Sequence, residues 1–444
     1  MTSPATLSMP DPIVARLEKA EAALAECRDA PEAKRIAALS RAAEVYARRV
    51  NLGREVIDHA HAIMIQAQTL MGRMLKQAEK QTGGDAQRTR FQKSTESPPP
   101  PTLADLGISK RESADAQALA DLEETAPELH AQVEAGQTTV SKARVEVKRQ
   151  QKRAEMKARA AANAGQPTDW EVVTGDCLEE IPRLPERPRL IFADPPYNIG
   201  IDYGEGKRAD SRPTWDYLWW CADWMFACWN RLADDGSLWV LINHEHAPFF
   251  ELMLAFDVII NPKHAADGLP WVAFSVLADH PRFHVRSRIT WYETFGVNCS
   301  DQFNRCSRRL LHCVKDPARF VFHADAVSRP SDRQTEYHDA RANPYGKILD
   351  DVWLDIPRLP GTAAERIPDF PTQLPVALLN RVIGCASDPG DLILDPFSGS
   401  GTTGAAAVAL GRRYVGIEQS ETFADLSRLR LRAMEPGAAA QQRA

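Results

Sequence analysis

The segment "LILDPFSGSGTTGAAAVALGRRYVGIE", residues 392–418, predicts the fold of the second half of this chain. An apolar run ends at Asp395, a glycine-rich turn and a small-residue helix follow, and a second apolar run ends at Glu418. Glycines allow the backbone to approach a ligand closely, and the start of a helix offers unpaired amide groups. This order predicts a ligand site at the carboxyl edge of a parallel sheet.

The same alternation of strands and helices extends back to Trp170. Short β-rich runs such as "EVVTGDC", "RLIFADPPY" and "GSLWVLINH" are separated by helical stretches. This pattern predicts an α/β fold in which helices cover both faces of a largely parallel sheet. In the tryptophan-rich helix between two of these runs, Tyr217, Trp220, Trp224 and Cys228 recur at helical spacing. Core packing is favoured for them over a ligand platform.

The first part of the chain has a different character. Residues 11–80 are rich in helix formers, and a helix is predicted to start at the capping acid and proline of the segment 29–50. A second long helix is predicted over 54–80. The apolar stripe predicted for the first of these helices consists of Ile36, Leu39, Ala43 and Tyr46.

Residues 102–122 resemble a helix-turn-helix, with a short helix, a turn at Gly107 and a second helix capped by Ser109. An ordinary helical hairpin would have the same pattern. The following segment 140–165 is strongly basic, which fits either a phosphate-contacting helix or a solvated helix before a linker.

Composition excludes several classes of protein. The net charge of −6 means that any surface for a polyanion must be local. No apolar run reaches the roughly 18 residues that a membrane span needs. Eight cysteines without a CxxC pair favour a reducing, cytoplasmic location. Cys299, Cys306 and Cys313 recur every seven residues, which matches no zinc spacing, so no metal site is predicted.

The stretch "LIFADPPYNIG", residues 190–200, places Asp194, Pro195, Pro196 and Tyr197 where a buried strand ends. Two prolines stop the strand and make the turn rigid. A carboxylate and a fixed backbone carbonyl can accept hydrogen bonds from an exocyclic amine of a base. An aromatic face can hold that base out of its stack. The motif therefore predicts methyl transfer to an amine nitrogen without a covalent nucleophile.

The glycine loop alone leaves a second interpretation open. Gly399, Gly401 and Gly404 match the dinucleotide fingerprint, and Glu418 lies where an acid can bind ribose hydroxyls, as in NAD-dependent oxidoreductases. Asp395 would repel a pyrophosphate but attract a cationic ligand. S-adenosylmethionine carries a sulfonium and no phosphate, which favours it over NAD.

Together, "DPPY" and "DPFSGSGTT" resemble the motifs of DNA amino-methyltransferases, which methylate adenine N6 or cytosine N4. "LADDGSLWVLIN", "ITWYE" and "DDVWLDIP" also follow the order of that family over about residues 168–435. Asp395 follows Asp194 by 201 residues, a permuted order similar to the beta subgroup. An aspartate in first place, where cytosine enzymes usually have serine, favours adenine. The resemblance implies a Rossmann-like S-adenosylmethionine-dependent methyltransferase sheet.

The resemblance also implies site residues. Those of the catalytic motif are Asp194, Pro195, Pro196 and Tyr197. Those of the cofactor site are Asp176, Thr372, Asp395, Phe397, Gly399, Gly401 and Glu418. The block usually written HPTQKP reads "FPTQLP" here, with Phe370 in place of His and Leu374 in place of Lys. That departure weakens the expectation of a cationic contact from this block.

The implied organisation has five parts: a helical module (1–81), a linker with four consecutive prolines (82–101), the helix-turn-helix-like segment with the basic helix (102–166), the methyltransferase domain (167–435) and a tail (436–444). Target recognition is expected at about 250–350. "RAAEVYARRVNL", "GRMLKQAEK" and "LADLGISKRESADAQALA" resemble a helical module of phage and prophage proteins.

The function predicted from these features is adenine N6 methylation of double-stranded DNA, with no membrane partner. The assembly could be a homodimer, and the sequence names no restriction partner. Two alternatives stay open: a cytosine N4 or RNA amino-methyltransferase, and a non-catalytic DNA-binding protein with a decayed methylase domain.

Overall fold

The computed structural model describes residues 12–82, 101–201, 210–255, 258–260, 274–276, 283–297, 299–361 and 363–434. The chain divides into two compact units, Met1–Lys152 and Arg153–Ala444. Most of the predicted linker at 82–101, the predicted tail at 436–444 and part of the predicted recognition region at 250–350 lie outside the described residues.

Helices make up the described part of the first unit. Their bounds are α1 Pro12–Glu26, α2 Ala30–Arg49, α3 Arg54–Thr82, α4 Lys110–Thr125, α5 Pro127–Glu134 and the first part of α6 Val140–Ala162. Asp29 caps α2 by accepting a hydrogen bond from the Glu32 amide, as the sequence predicts. The predicted helix over 54–80 is confirmed as α3.

The predicted apolar stripe of α2 is only partly correct. Ile36 is buried, but Leu39 is 65% exposed and Tyr46 is 53% exposed. The buried face consists mainly of small side chains, namely Ala30, Ala33, Ile36, Ala37, Ser40 and Ala47. Alanine lets neighbouring helices approach closely, so the packed face is not the face with the largest apolar side chains.

The predicted helix-turn-helix is also corrected. Ser109 caps α4 and forms a capping box with Glu112, but the residues before it form a hydrogen-bonded turn and no helix. The Leu106 amide donates to the Thr102 carbonyl, and the Ile108 amide donates to the Leu103 carbonyl. Thr102 also hydrogen-bonds Asp105, a local bond that competes with continuation of a helix.

The second unit contains an eight-stranded sheet in the order β1-β12-β11-β2-β3-β7-β6-β10. The first five of these strands run parallel, and β7 is antiparallel to both of its neighbours. The strands are β1 Trp170–Thr174, β2 Leu190–Ala193, β3 Ser237–Ile242, β6 His284–Val297, β7 Arg305–Val314, β10 Val352–Trp353, β11 Leu392–Asp395 and β12 Arg413–Glu418. Two small ribbons pair β4 Val258–Ile260 with β5 Phe274–Val276 and β8 Ser328–Arg329 with β9 Lys347–Ile348.

Helices cover both faces of the large sheet. They are α7 Cys177–Arg183, α8 Thr214–Arg231, α9 Ala247–Ala255, α11 Val376–Ala386, α12 Thr402–Ala409 and α13 Glu421–Arg432. The four-residue helix α10 Asp332–Thr335 has no buried residues. Successive residues of a strand point to opposite faces. Leu190 and Phe192 accordingly pack in a core with α11 and α12, whereas Ile191 and Ala193 pack in a core with α7 and α8. The predicted α/β class with a largely parallel, doubly covered sheet is therefore confirmed.

Candidate active site

The acids Asp194 and Asp395 meet at one edge of the sheet. β2 and β11 are parallel neighbours, with Leu190 opposite Ile393, so their carboxyl ends lie side by side. A cavity of about 700 Å³ opens at this edge. Ligand sites of parallel sheets are expected at this position. All four residues of the catalytic motif and six of the seven predicted cofactor residues line this cavity: Asp194, Pro195, Pro196, Tyr197, Asp176, Thr372, Asp395, Phe397, Gly399 and Glu418.

The loop after β2 is fixed by contacts from outside the catalytic motif. The hydroxyl of buried Tyr217 in α8 donates to the Pro196 carbonyl at 2.9 Å. The carboxylate of Asp210, only 4% exposed, accepts hydrogen bonds from the amides of Asn198 and Ile201. Asn198 adopts φ of +58°, a left-handed conformation that asparagine tolerates better than most residues. The motif is therefore held in place by these hydrogen bonds as well as by its two prolines.

Asp194 is in contact with an aromatic hydroxyl and close to a guanidinium group. The Tyr197 hydroxyl donates to Asp194 Oδ1 at 2.5 Å. Arg308 Nη1 lies 4.0 Å from Asp194 Oδ2 and donates to the Tyr197 hydroxyl at 3.3 Å. Burial raises the pKa of Asp194 above its ordinary value, while Arg308 and the Tyr197 hydroxyl act against that rise.

Asp395 has a different environment. It is 3% exposed, and its carboxylate accepts a hydrogen bond from the Phe397 amide at 2.9 Å. Burial raises its pKa to about 7, a rise that hydrogen bonds from Thr403 and Phe397 only partly offset. Within the described part of the chain, Asp395 forms no ion pair. This carboxyl group therefore suits a ligand that brings positive charge.

Glu418 lies at the end of β12 and is hydrogen-bonded to the glycine loop. Its Oε2 accepts from the Gly399 amide at 2.8 Å, and its Oε1 accepts from the Ser420 amide at 3.0 Å. Asp176 caps α7 by accepting from the Leu178 amide at 2.9 Å. The cavity thus has three carboxylates on its cofactor side, each at the end of a strand or the start of a helix.

Gly399 and Gly401 occupy positions that larger residues would not fit. Gly399 has φ of +50°, and an added Cβ would lie 2.7 Å from Cζ of Phe370. Gly401 has φ of +70°, and an added Cβ would lie 2.4 Å from Oγ of Ser427. Gly401 is absent from the described cavity wall, and it packs against α13 at the start of α12. Gly401 is therefore a turn residue that lies next to the site.

The two departures in the "FPTQLP" block have separate structural effects. Phe370 lines the cavity, and its ring packs edge-on against Phe423 with centroids 4.9 Å apart. Leu374 is 6% exposed and belongs to the core that contains Trp239 and Leu378, although it also reaches the cavity wall. This block therefore contributes an aromatic and an aliphatic side chain where the family pattern has His and Lys.

The tryptophan-rich helix α8 is largely core, as predicted. Tyr217, Trp224 and Cys228 are almost fully buried. Trp220, by contrast, lines the cavity, where its ring lies 5.6 Å from that of Phe397 and 4.9 Å from the guanidinium of Arg212. Helical periodicity could not separate this one position from its buried neighbours.

Three important neighbours of the motif are not predicted from the sequence. Arg308 lies in β7 and Glu293 lies in β6. Asp210 follows the catalytic loop in sequence and holds it by accepting a hydrogen bond from the Asn198 amide. The segments "ITWYE" and "NRCSRRLLH" that contain the first two have no spacing that indicates a site. Only the pairing of β6 with β7, and of β7 with β3, brings them to Asp194.

Among the described residues, no helix is long and apolar enough to cross a membrane. The described ranges also contain no group of three or more His, Cys, Asp and Glu residues that could hold a metal ion. All eight cysteines are free thiols.

Comparison with known proteins identifies the family. A model of the N6/N4 DNA methylase family matches residues 189–428. DNA adenine methyltransferase YhdJ of Escherichia coli (strain K12) is 32% identical over 269 residues, which cover 59% of this chain and 82% of that protein. Type II methyltransferase M.ScaI of Streptomyces caespitosus is 30% identical over 266 residues, covering 58% of this chain and 80% of that protein.

Solved structures with a similar fold include the M1.HpyAVI–SAM complex, with 20% identity and a TM-score of 0.38 over 59% of this chain and 98% of that chain. The PvuII DNA methyltransferase, described as cytosine-N4-specific, has 16% identity and a TM-score of 0.40 over 62% of this chain and 90% of that chain. The family match covers more than half of the 444 residues and includes both motifs of the cavity. The chain belongs to the DNA methylase family.

Proposed function

We propose that this chain transfers a methyl group from S-adenosylmethionine to N6 of adenine in DNA. The observation that carries the proposal is that the Asp194 motif and the Asp395 loop, 201 residues apart, line one cavity. One end of the cavity offers hydrogen-bond acceptors and an aromatic ring, and the other end offers an uncompensated buried carboxyl group. An acceptor end for a base and an acidic end for a cationic cofactor are the two parts that the reaction needs.

The cofactor side fits S-adenosylmethionine by its chemistry. Asp395 would face the positively charged methionine part, together with Thr372. Glu418 would hold the ribose hydroxyls, and Asp176 would lie near the adenine. When bound, S-adenosylmethionine supplies an electrophilic methyl group on a sulfonium. NAD is disfavoured because its pyrophosphate would meet the acidic end of the cavity.

The chain's own residues act on the base. The Asp194 carboxylate and the Pro195 carbonyl accept hydrogen bonds from the exocyclic amine, which raises electron density on its nitrogen. The raised pKa of Asp194 makes its carboxylate a stronger acceptor than an exposed aspartate. The ring of Tyr197 stacks on the flipped base and keeps it out of the duplex. Pro195 and Pro196 keep the acceptor carbonyl rigid.

Adenine is proposed over cytosine because the motif begins with Asp194 and because a relative at 32% identity is named a DNA adenine methyltransferase. The order of the two motifs supports the permuted beta subgroup. The free, mostly buried thiols support a cytoplasmic location. The first compact unit, Met1–Lys152, is proposed to add affinity for DNA.

The basic residues of α6 are proposed to contribute that affinity through phosphate contacts. Lys142, Arg144 and Lys148 are exposed on this helix. Each phosphate contact adds about 0.9 to the log–log slope of binding against salt. Replacing all three with Gln in the full chain should make the slope shallower by up to about 3 and leave the methylated sequence unchanged. An unchanged slope would show that α6 does not contact phosphates.

The reaction is tested by incubating the purified protein with S-adenosylmethionine that carries a labelled methyl group, in parallel with duplex DNA and with RNA. Each nucleic acid is then digested to nucleosides and analysed by mass spectrometry, and cofactor binding is measured by calorimetry. Label in N6-methyladenine supports the proposal, whereas label in N4-methylcytosine would establish the cytosine alternative. Label in RNA alone would replace DNA as the substrate. Cofactor binding without transfer to either nucleic acid would indicate a decayed methylase.

A further inference from the structure

A half-buried ion pair of the β6–β7 hairpin lies against the catalytic motif. Arg308 Nη2 lies 2.8 Å from Glu293 Oε1. The Arg308 side chain is 17% exposed and that of Glu293 is 12% exposed. The same guanidinium reaches the catalytic loop, where Nη1 donates to the Tyr197 hydroxyl and lies 4.0 Å from Asp194 Oδ2. Arg308 therefore connects a hairpin outside the motif to two residues inside it.

The guanidinium also lies near two aromatic rings. Its central carbon is 5.6 Å from the centre of the Tyr197 ring and 5.4 Å from the centre of the Trp291 ring. A cation near a ring face is attracted by the ring's quadrupole. The contact with Trp291 helps to hold the guanidinium. The ring contact and the hydrogen bond with Tyr197 restrict the position of that ring and the direction of its hydroxyl.

An ion pair that is largely withdrawn from water contributes little net stability to the fold, because the cost of desolvation offsets most of the attraction between the charges. Because this ion pair lies beside Asp194, it also affects whether that carboxyl group is ionised. A carboxyl group buried without a cation tends to take up a proton. Protonated Asp194 would have a hydroxyl that donates, whereas an exocyclic amine needs an acceptor.

We propose that Arg308 is a positioning residue for methyl transfer: it keeps Asp194 in the ionised, hydrogen-bond-accepting form and fixes Tyr197 in place. The inference rests on the proposed function, because it concerns the acceptor role of Asp194. Arg308 itself is not assigned any contact with the base or the cofactor.

Burial raises the pKa of Asp194, and three groups on different elements act on it as well. Arg308 on β7 favours the carboxylate, as does the hydroxyl of Tyr197 in its own loop, whereas the acid Glu293 on β6 disfavours it. The carboxyl group of Asp395 on β11 lines the same cavity. Loss of Arg308 should therefore raise the pKa of Asp194, and loss of the Glu293 charge should lower it.

The test is the dependence of kcat/KM for DNA on pH, measured with saturating cofactor so that binding at Asp395 does not contribute. In this profile kcat/KM falls at low pH as Asp194 becomes protonated, and this falling part is the acid limb. Arg308→Gln should move the acid limb to higher pH by about one unit, so that activity at low pH falls about tenfold more than activity at high pH. Arg308→Lys should restore part of the shift. Glu293→Gln should move the limb in the opposite direction.

Arg381→Gln is the matched control. Arg381 is 14% exposed, pairs with Asp355 at 2.5 Å and lies 4.7 Å from the ring of Trp353, but it is not among the described residues that line the cavity. It should lose thermal stability as Arg308→Gln does, and its acid limb should stay in place. If Arg308→Gln does not fold, the shifts of Arg308→Lys and Glu293→Gln decide the question.

An acid limb that does not move in the Arg308 variants, or that moves in the same direction in Arg308→Gln and Glu293→Gln, would overturn the role of Arg308. In either case the wild type would still transfer methyl groups. Absence of transfer by the wild type would instead overturn the proposed function, so the two failures are distinguishable.

Discussion

Asp194 and Asp395 occupy equivalent positions and have different electrostatic surroundings. Each follows a buried parallel strand, each lines the same cavity, and burial raises the pKa of both. Asp194 lies 4.0 Å from a guanidinium of the protein. Asp395 receives hydrogen bonds from its own loop, and no ion pair to it is formed among the described residues.

This difference matches the charges of the two proposed ligands. An adenine base is neutral, so an acid that faces it must be kept ionised by a cation of the protein. S-adenosylmethionine is cationic and would itself supply the charge that Asp395 lacks. On this proposal, equivalent positions in the sheet serve two different ligands because side chains from other strands set the charge at each position.

The largest effect is expected at Asp194. Asp194→Ala removes the main acceptor for the amine, and the loss of one transition-state hydrogen bond of this kind costs about 100- to 1000-fold in rate. Affinity for the cofactor should stay within about twofold, because this acid faces the base. Single-turnover methylation and calorimetry measure the two quantities. Wild-type turnover in this variant would exclude the acceptor role.

The second largest effect is expected at Asp395. Asp395→Asn should weaken binding of S-adenosylmethionine by roughly tenfold to a hundredfold, because a charge-assisted contact in a buried site is lost. The ligand-free variant should unfold at a higher temperature than the wild type at pH 8. The pKa of Asp395 is higher in the folded protein, about 7, than in the unfolded chain. The free energy of unfolding of the wild type therefore falls as pH rises towards about 7, and asparagine avoids this loss.

At pH 5 the stability difference should shrink, since Asp395 is then largely protonated in the folded protein. Thermal unfolding at the two pH values measures this. Lower stability of Asp395→Asn at pH 8 would mean that the carboxylate is compensated within the fold, and the contrast with Asp194 would disappear.

The pH dependence of cofactor binding is a smaller effect. The pKa of Asp395 is about 7 in the free protein, and a cationic ligand favours its carboxylate. Affinity should therefore increase as pH rises from 5.5 to 7, by at most about tenfold per pH unit, and level off above that. Calorimetry in buffers of different ionisation enthalpy should detect proton release at pH 6. Asp395→Asn should show neither effect.

The smallest effect is expected from loss of the Tyr197 hydroxyl alone, and a larger effect from loss of the whole ring. Tyr197→Phe keeps the ring and removes the hydroxyl that donates to Asp194, so it should reduce kcat/KM severalfold. Tyr197→Ala also removes the stacking surface, which is worth roughly 1–3 kcal/mol per base. Fluorescence of a 2-aminopurine placed at the target position would report base flipping in the two variants. Equal flipping in both would exclude a stacking role for the ring.

Much of the site follows from the sequence because its parts are local. A strand, an acid and two prolines define the catalytic loop, and a strand, an acid and glycines define the cofactor loop. Both loops line the cavity with the residues that the motifs indicate, apart from Gly401. The apolar stripe predicted for α2 is only partly correct and the first helix predicted at 102–107 is wrong, because periodicity and composition do not show which face will pack or where a side chain will end a turn.

The sequence by itself determined the α/β class, the two acids and the family, since short motifs and alternating apolar runs encode them without reference to distant residues. Only the tertiary structure decided the charge state around each acid. Arg308 reaches Asp194 through the pairing of β7 with β3, while Asp395 lies between buried strands without such a cation among the described residues. Electrostatic energy depends on distances and burial of a few ångströms, and these are set by strand order and packing rather than by spacing along the chain.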